Sequence, residues 1–249
     1  MRVLRTLLIL VVLFGGLFIA ADRVALYFAE DQVASRIKAS QGLTSDPEVT
    51  IKGFPFLTQV ARTTLDDVEI SLDGVSASAG GEAVRVTEVR AELKDVTFDS
   101  TFSKATAGSA TGSARISYAD LTASAPKGAT VGYAGTERAA ENQVKLSGPM
   151  GEVLAGAGIS VPGPFKALLD GKTLTAYSTV SLVDGDTVRL RAASLPTLYV
   201  PGAEERMRKA VDYDLKIDGL PSSIQLDKVT TTDTGLSFAG TGTDVSLSG

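Results

Sequence analysis

The sequence predicts an α+β protein: an N-terminal apolar helix, an amphipathic helix directly behind it, and a strongly curved antiparallel sheet made from most of the rest. Three observations lead there. Thr6 to Ala21 is an uncharged run preceded by Arg2 and Arg5. Residues 22–40 repeat apolar side chains at spacings of three and four, the signature of one helical face. Most of the chain beyond residue 65 alternates apolar and polar residues with period two, as half-buried strands do.

The apolar run, residues 6–21, is about 16 residues long and spans roughly 24 Å as a helix, against the roughly 20 residues that about 30 Å of hydrocarbon requires. Val3 and Leu4 add length and Arg5 can snorkel to the headgroups, which makes a short membrane span. The alternative is a cleaved signal peptide with a basic start and small residues Ala20 and Ala21 at its end. Either way residues 22–249 are expected outside the cytoplasm, because the positive charge stays inside. The expected organisation is a transmembrane anchor or signal segment over residues 1–21 and one extracytoplasmic domain over 22–249, either held at the cell membrane by a single pass or secreted after cleavage.

Leu26, Ala29, Val33 and Ile37 form the apolar face of the next helix, with Glu30, Asp31, Arg36 and Lys38 on other faces. Asp22 caps this helix if the apolar run breaks there; otherwise the two form one long helix. Gly42 is placed to end it in a left-handed cap. Strands follow. Val68, Ile70 and Leu72 alternate with Glu69, Ser71 and Asp73. Val84 and Val86 are out of phase with Val89, Ala91 and Leu93, and Lys94-Asp95 produces a second slip before Val96 and Phe98. Two slips so close together predict bulges and strong curvature.

Ser103 to Ser113 is small and polar and reads as a mobile tip. Short helices are expected over Ser117 to Ser124 and Ala203 to Ala210, the latter with acids in its first turn and bases later, as the helix dipole favours. Gly148 to Gly163 reads as a loop or linker. Val144 and Leu146 form one strand, and Leu174 to Leu182 another. The latter turns at Asp184-Gly185 into Val188, Leu190 and Ala192. Tyr213 to Ile217, the Asp218-Gly219-Leu220-Pro221 turn, Ile224 and Leu226, Leu236 and Phe238, and Val245 and Leu247 complete the pattern.

Composition excludes several chemistries. The chain has no Cys, His or Trp. The usual zinc sites and any Ser-His or Cys-His catalytic pair are therefore unavailable, and disulfides do not support the exported domain. A net charge of −5 argues against a nucleic-acid partner and against loose adsorption to anionic headgroups. No phosphate-cradling glycine loop appears. Asp66-Asp67 reads as a solvated strand-opening turn rather than a metal or acid-base pair. No catalytic constellation, metal site or cofactor is expected, and the chain is not read as an enzyme.

One segment resists an ordinary account. Ile51 to Val60, with the sequence Ile-Lys-Gly-Phe-Pro-Phe-Leu-Thr-Gln-Val, is dense in apolar residues that do not alternate. Pro55 cannot donate to a ladder, so the stretch marks an edge, a bend or a bulge, with Gly53 permitting a kink. Phe54 and Phe56 then point the same way and Leu57 elsewhere. The rings either enter the core or line an apolar cavity or its mouth. Lys52 and Arg62 flank the stretch, as basic groups for the polar end of a ligand or as solvated residues, and the solvated reading is preferred.

Gly53-Phe54-Pro55-Phe56-Leu57-Thr58-Gln59 followed by Leu65-Asp66-Asp67-Val68-Glu69-Ile70 resembles the signature of the LmeA-family phospholipid-binding proteins of actinobacteria. Leu220-Pro221, Ile224-Gln225-Leu226-Asp227-Lys228-Val229 and Thr234 to Val245 are similar to that family's closing hairpin, and the resemblance runs through residues 22–247 in order. It implies an envelope protein that binds phospholipid, with phosphoinositides among the ligands. The implied fold is similar to tubular lipid-binding domains, in which a curved antiparallel sheet wraps a long helix around a lipid-holding groove. Some relatives carry a lipobox cysteine, which this chain lacks. Thr63-Thr64 stands where relatives often place a glycine-containing turn. Apolar character then nominates Phe54, Phe56, Leu57, Val33 and Ile37 as lipid-binding. The alternative is a structural or scaffolding protein of the envelope that binds a protein partner through strand addition or an apolar patch.

Overall fold

A computed structural model describes residues 2–41, 43, 45–79, 82–99, 104–125, 127–156, 158, 169, 171–195, 203–217 and 222–247. The elements are α1 (Arg2–Gln41), β1 (Glu48–Lys52), α2 (Phe56–Ala61), β2 (Thr64–Ala79), β3 (Glu82–Phe98), β4 (Ala105–Ser117), α3 (Tyr118–Ala123), β5 (Thr130–Tyr133), α4 (Thr136–Ala140), β6 (Gln143–Pro149), α5 (Met150–Gly156), β7 (Thr173–Val183), β8 (Thr187–Ser194), α6 (Ala203–Val211), β9 (Tyr213–Lys216), β10 (Ile224–Thr231) and β11 (Gly235–Ser246). A long apolar helix thus precedes a sheet-rich α+β fold, as the periodicities predict. The strands form sheets in the orders β1-β2-β3-β4-β11-β10 and β5-β6-β7-β8-β9. The chain gathers into two compact units, one of Met1–Asp73, Arg90–Gly112 and Gly242–Gly249, the other of Gly74–Val89 and Ser113–Thr241.

In the first unit α1 does not break at Asp22, so the alternative of one continuous helix holds. Its large apolar side chains from Val3 to Ile19 are all exposed. From Asp22 onward the helix gains an inner face: Asp22 is buried, and Leu26, Ala29, Val33 and Ile37 are half-buried. That face packs on β1 and α2. β1 pairs antiparallel with β2, setting Val49 opposite Ile70 and Ile51 opposite Val68. Among the described residues, Val49, Ile51, Phe56, Val68, Leu93, Val96, Ala107, Ala110 and Val245 contribute buried apolar side chains to this unit. The second predicted slip is real. Leu93 and Val96 are both buried although three apart, and Asp95 between them takes φ +52°, the left-handed step that lets a strand change phase.

The expected mobile tip is corrected over its described residues. Residues 105–113 belong to β4, with Ala107 and Ala110 buried. Gly108 lies so near Asp95 that an added Cβ would be 3.2 Å from that residue's Cβ. The small side chains serve close packing, a need that composition alone does not distinguish from looseness.

In the second unit all four strand pairs of the five-stranded sheet are antiparallel. Asp184 and Gly185 turn β7 into β8 with φ of 55° and 72°, the two positive values of a tight hairpin turn. Val144, Val180, Val188, Val229, Leu236 and Phe238 form one apolar cluster. Leu154, Leu174, Ala176 and Met207 form another. Helix α3 is capped by Ser117, whose hydroxyl accepts from the Asp120 amide, and α6 brings acids first as expected.

The expected loop from Gly148 is corrected at Gly148 and Pro149, which end β6, and at residues 150–156, which form α5. Met150, Val153 and Leu154 share a helical face that packs on the Leu174 cluster, which outweighs the flanking glycines and proline. Gly42, Pro201-Gly202 and the turn at 218–221 lie outside the described residues, as do Ser103 and the Pro162-Gly163-Pro164 part of the expected linker.

Candidate functional site

The unusual apolar segment folds as a bend followed by one short helix. β1 ends at Lys52, and Gly53 takes φ +96°, a region that favours glycine. A Cβ there would lie 2.5 Å from Gln59 Nε2 and 3.2 Å from Asp66 Oδ2. The Phe54–Pro55 peptide is cis, and α2 starts at Phe56. The buried Gln59 side chain holds the bend closed: its Nε2 donates to the Lys52 carbonyl at 3.2 Å and its Oε1 accepts from the Asp66 amide at 2.9 Å. After α2, Thr63 takes φ +55° before β2. A β-branched residue therefore occupies a left-handed turn.

Helix α1 grips this segment with two carboxylates. α2 has no side-chain cap of its own, because Pro55 stands at its N-cap. Asp22 fills that place from 35 residues away: its Oδ1 accepts from the Leu57 amide at 2.8 Å, and the neighbouring Phe56 amide also favours its charged form. Its Oδ2 accepts from Arg23 at 2.6 Å. Burial by itself raises the Asp22 pKa, but the Leu57 amide, the Arg23 guanidinium and the Phe56 amide outweigh it and hold the group below its ordinary value. Two turns further along, Glu30 Oε1 accepts from the Ile51 amide at 2.8 Å. β1 is the first strand of its sheet, so Glu30 satisfies a donor on an edge that would otherwise invite pairing.

The predicted residues separate into different environments. Phe56 is only 5% exposed and belongs to the core, whereas Phe54 is 60% exposed. The expectation that the two rings point the same way is therefore corrected: Phe56 opens α2 with its ring in the core, while Phe54 precedes that helix with its ring exposed. Leu57, Val33 and Ile37 are half-buried. They lie on α2 and on the stretch of α1 that packs against β1 and α2. Arg23 stacks over the Phe54 ring, with its guanidinium carbon 5.2 Å from the ring centroid.

Sequence reasoning missed the roles of Asp22, Glu30 and Gln59. For Asp22 a signal existed: it is the first charge after the apolar run, and a carboxylate there needs partners.

Asp67, Glu69 and Glu92 bring carboxylate oxygens within 4.8 Å of one another. Two lysines already answer them. Lys52 Nζ lies 3.7 Å from Asp67 Oδ2 and also bonds Glu69, and Lys94 Nζ lies 3.1 Å from Glu92 Oε1. The Glu69 hydrogen bond raises the Lys52 pKa, and the Lys94 hydrogen bond lowers that of Glu92. The group reads as a surface ion-pair network across neighbouring strands.

With this geometry in place, comparison with known proteins adds one match. A family model described as LmeA-like phospholipid-binding covers residues 20–241, most of the chain and all of the segment gripped by α1. No curated protein and no solved structure matches the chain.

Proposed function

We propose, from the premise that this chain belongs to the LmeA-like phospholipid-binding family, that it is a membrane-anchored, extracytoplasmic, non-enzymatic carrier of phospholipid. The family match carries this reading. The exposed apolar half of α1 supports the anchor: the helix is long and apolar enough to cross a membrane, and its apolar window is unburied. Basic residues at its start favour an orientation with the following domain outside the cytoplasm. The protein would hold acyl chains against apolar surface that includes Leu57, Val33 and Ile37, with Phe54 at the entry. Phosphoinositides are among the headgroups proposed, and service to envelope lipid or glycan assembly is the proposed role.

Affinity in this reading comes from chain burial, at about 0.8 kcal/mol per methylene. Shortening the buried chain by two methylenes should then weaken binding by roughly 1.6 kcal/mol, about fifteen-fold. The test is uptake of fluorescent phospholipids of stepped chain length from vesicles by residues 22–249. Phe54→Asp and Ile37→Asp should lower uptake while the far-ultraviolet circular dichroism stays unchanged. Uptake that ignores both chain length and these substitutions contradicts the proposal. A filled interior without lipid, together with a stable protein partner, would favour the scaffolding alternative.

A further inference from the structure

Asp22 is the first residue beyond the apolar run of α1, and its carboxylate is buried beneath the amides of Phe56 and Leu57. The level of the Gly53–Val60 segment along the helix is therefore fixed at the point where the apolar stretch ends. At this level the protein exposes an unusual set of side chains. Val24, Tyr27, Phe28 and Phe54 are all more than half exposed. Arg23, whose side chain is 46% exposed, stacks on Phe54 and lies against Asp22. Tyr27 and Phe28 meet edge to face with centroids 6.0 Å apart.

We propose that Arg23, Val24, Tyr27, Phe28 and Phe54 form a surface that beds into the headgroup layer of the membrane crossed by α1. The proposal rests on the reading of α1 as an anchor and adds where the lipid-binding segment is held. Three features select lipid as the occupant. The surface continues, on the same helix, the exposed apolar side chains that run from Val3 to Ile19. At about 1.5 Å per residue, Arg23 to Phe28 lie roughly 3–10 Å beyond Ala21, within the polar layer that flanks the hydrocarbon. Exposed aromatics beside a cation are the side chains that favour that layer, and Arg suits a phosphate headgroup. An acidic chain with a net charge of −5 thereby presents a cation and aromatics where it meets phosphates. Phospholipid would enter from the bilayer beside Phe54 without crossing water.

The chain contains no Trp, so a single introduced Trp reports depth without background. Full-length Leu13→Trp, Tyr27→Trp and Phe54→Trp would be placed in phosphatidylcholine vesicles brominated either next to the headgroup or midway along the acyl chains. The expected result is quenching of Leu13→Trp by mid-chain bromine. Tyr27→Trp and Phe54→Trp should be quenched by bromine near the headgroup and emit at shorter wavelength than Trp in water. If Leu13→Trp is quenched while both others emit as in water and neither lipid quenches them, the anchor stands and the docking surface is overturned. If Leu13→Trp is not quenched, the anchor reading fails and the docking surface fails with it. Tyr27 and Phe54 are exposed and come from separate elements, so two variants test the surface independently of either one's folding.

Discussion

Replacing Gly53 by alanine should open the bend between β1 and α2, and the size of the effect follows from one backbone conformation and one contact. At φ +96° a side chain adds about 1–2 kcal/mol of backbone strain. The new Cβ would also meet Gln59 Nε2 at 2.5 Å. That side chain is buried and bonded to the Lys52 carbonyl and the Asp66 amide, so moving it forfeits two hydrogen bonds worth about 0.5–1.5 kcal/mol each. Together the cost is about 2–5 kcal/mol.

Peptide-resolved hydrogen exchange at Asp66, whose amide donates to Gln59, reads this locally. With tenfold for every 1.4 kcal/mol, exchange should quicken by about thirty-fold or more. The test becomes sharp as a double-mutant cycle. Once Gln59→Ala has removed the main obstruction, Gly53→Ala should cost its backbone strain and a small shift of the Asp66 carboxylate, 3.2 Å from the added Cβ. The coupling between the two sites should then be about 1–3 kcal/mol. Gly53→Ala costing as much in the Gln59→Ala background as in the natural chain would refute the claim that Gln59 locks the bend.

Two further predictions rest on burial and charge. Phe56→Ala should cost about 3–5 kcal/mol in urea unfolding, whereas Phe54→Ala should cost no more than about 1 kcal/mol, the worth of an exposed cation–π contact; similar losses at both positions would contradict their assignment to core and surface. In the second unit, the hydrogen bond from the Ser117 hydroxyl lowers the Asp120 pKa; burial opposes this and the Thr87 hydroxyl and Arg85 charge reinforce it. Because the folded value lies below the unfolded value near 3.8, this stabilisation is present above that pH and is lost as pH falls through the folded value. Melting temperature followed from pH 7 downward should show the loss in the natural chain and a shallower one in Asp120→Asn.

Much of the fold was legible because it rests on local periodicity. The Leu26–Ala29–Val33–Ile37 face, the Asp184-Gly185 turn and the slip at Asp95 all follow from residues close in sequence. The errors arose where packing overrode composition. Residues 105–113 lack large side chains, yet β4 buries Ala107 and Ala110; α5 sits between turn-forming residues, yet it covers the Leu174 cluster. The candidate site was half visible. Its apolar density and the kink at Gly53 could be read directly, but Asp22 reaches Leu57 across 35 positions and Glu30 reaches Ile51 across 21. Such pairings depend on where a helix lies against a strand, which no local pattern encodes. The separation of Phe54 from Phe56 was hidden for the same reason, since it depends on a helix that starts at Phe56 under a cap from elsewhere.

Native mass spectrometry of residues 22–249, recovered from cells and purified without detergent, tests lipid carriage most directly. The account predicts a protein mass carrying phospholipid that extraction releases and headgroup analysis identifies. Recovery of the folded protein at its bare mass, with no lipid in the extract and none gained after incubation with phospholipid vesicles, would contradict it.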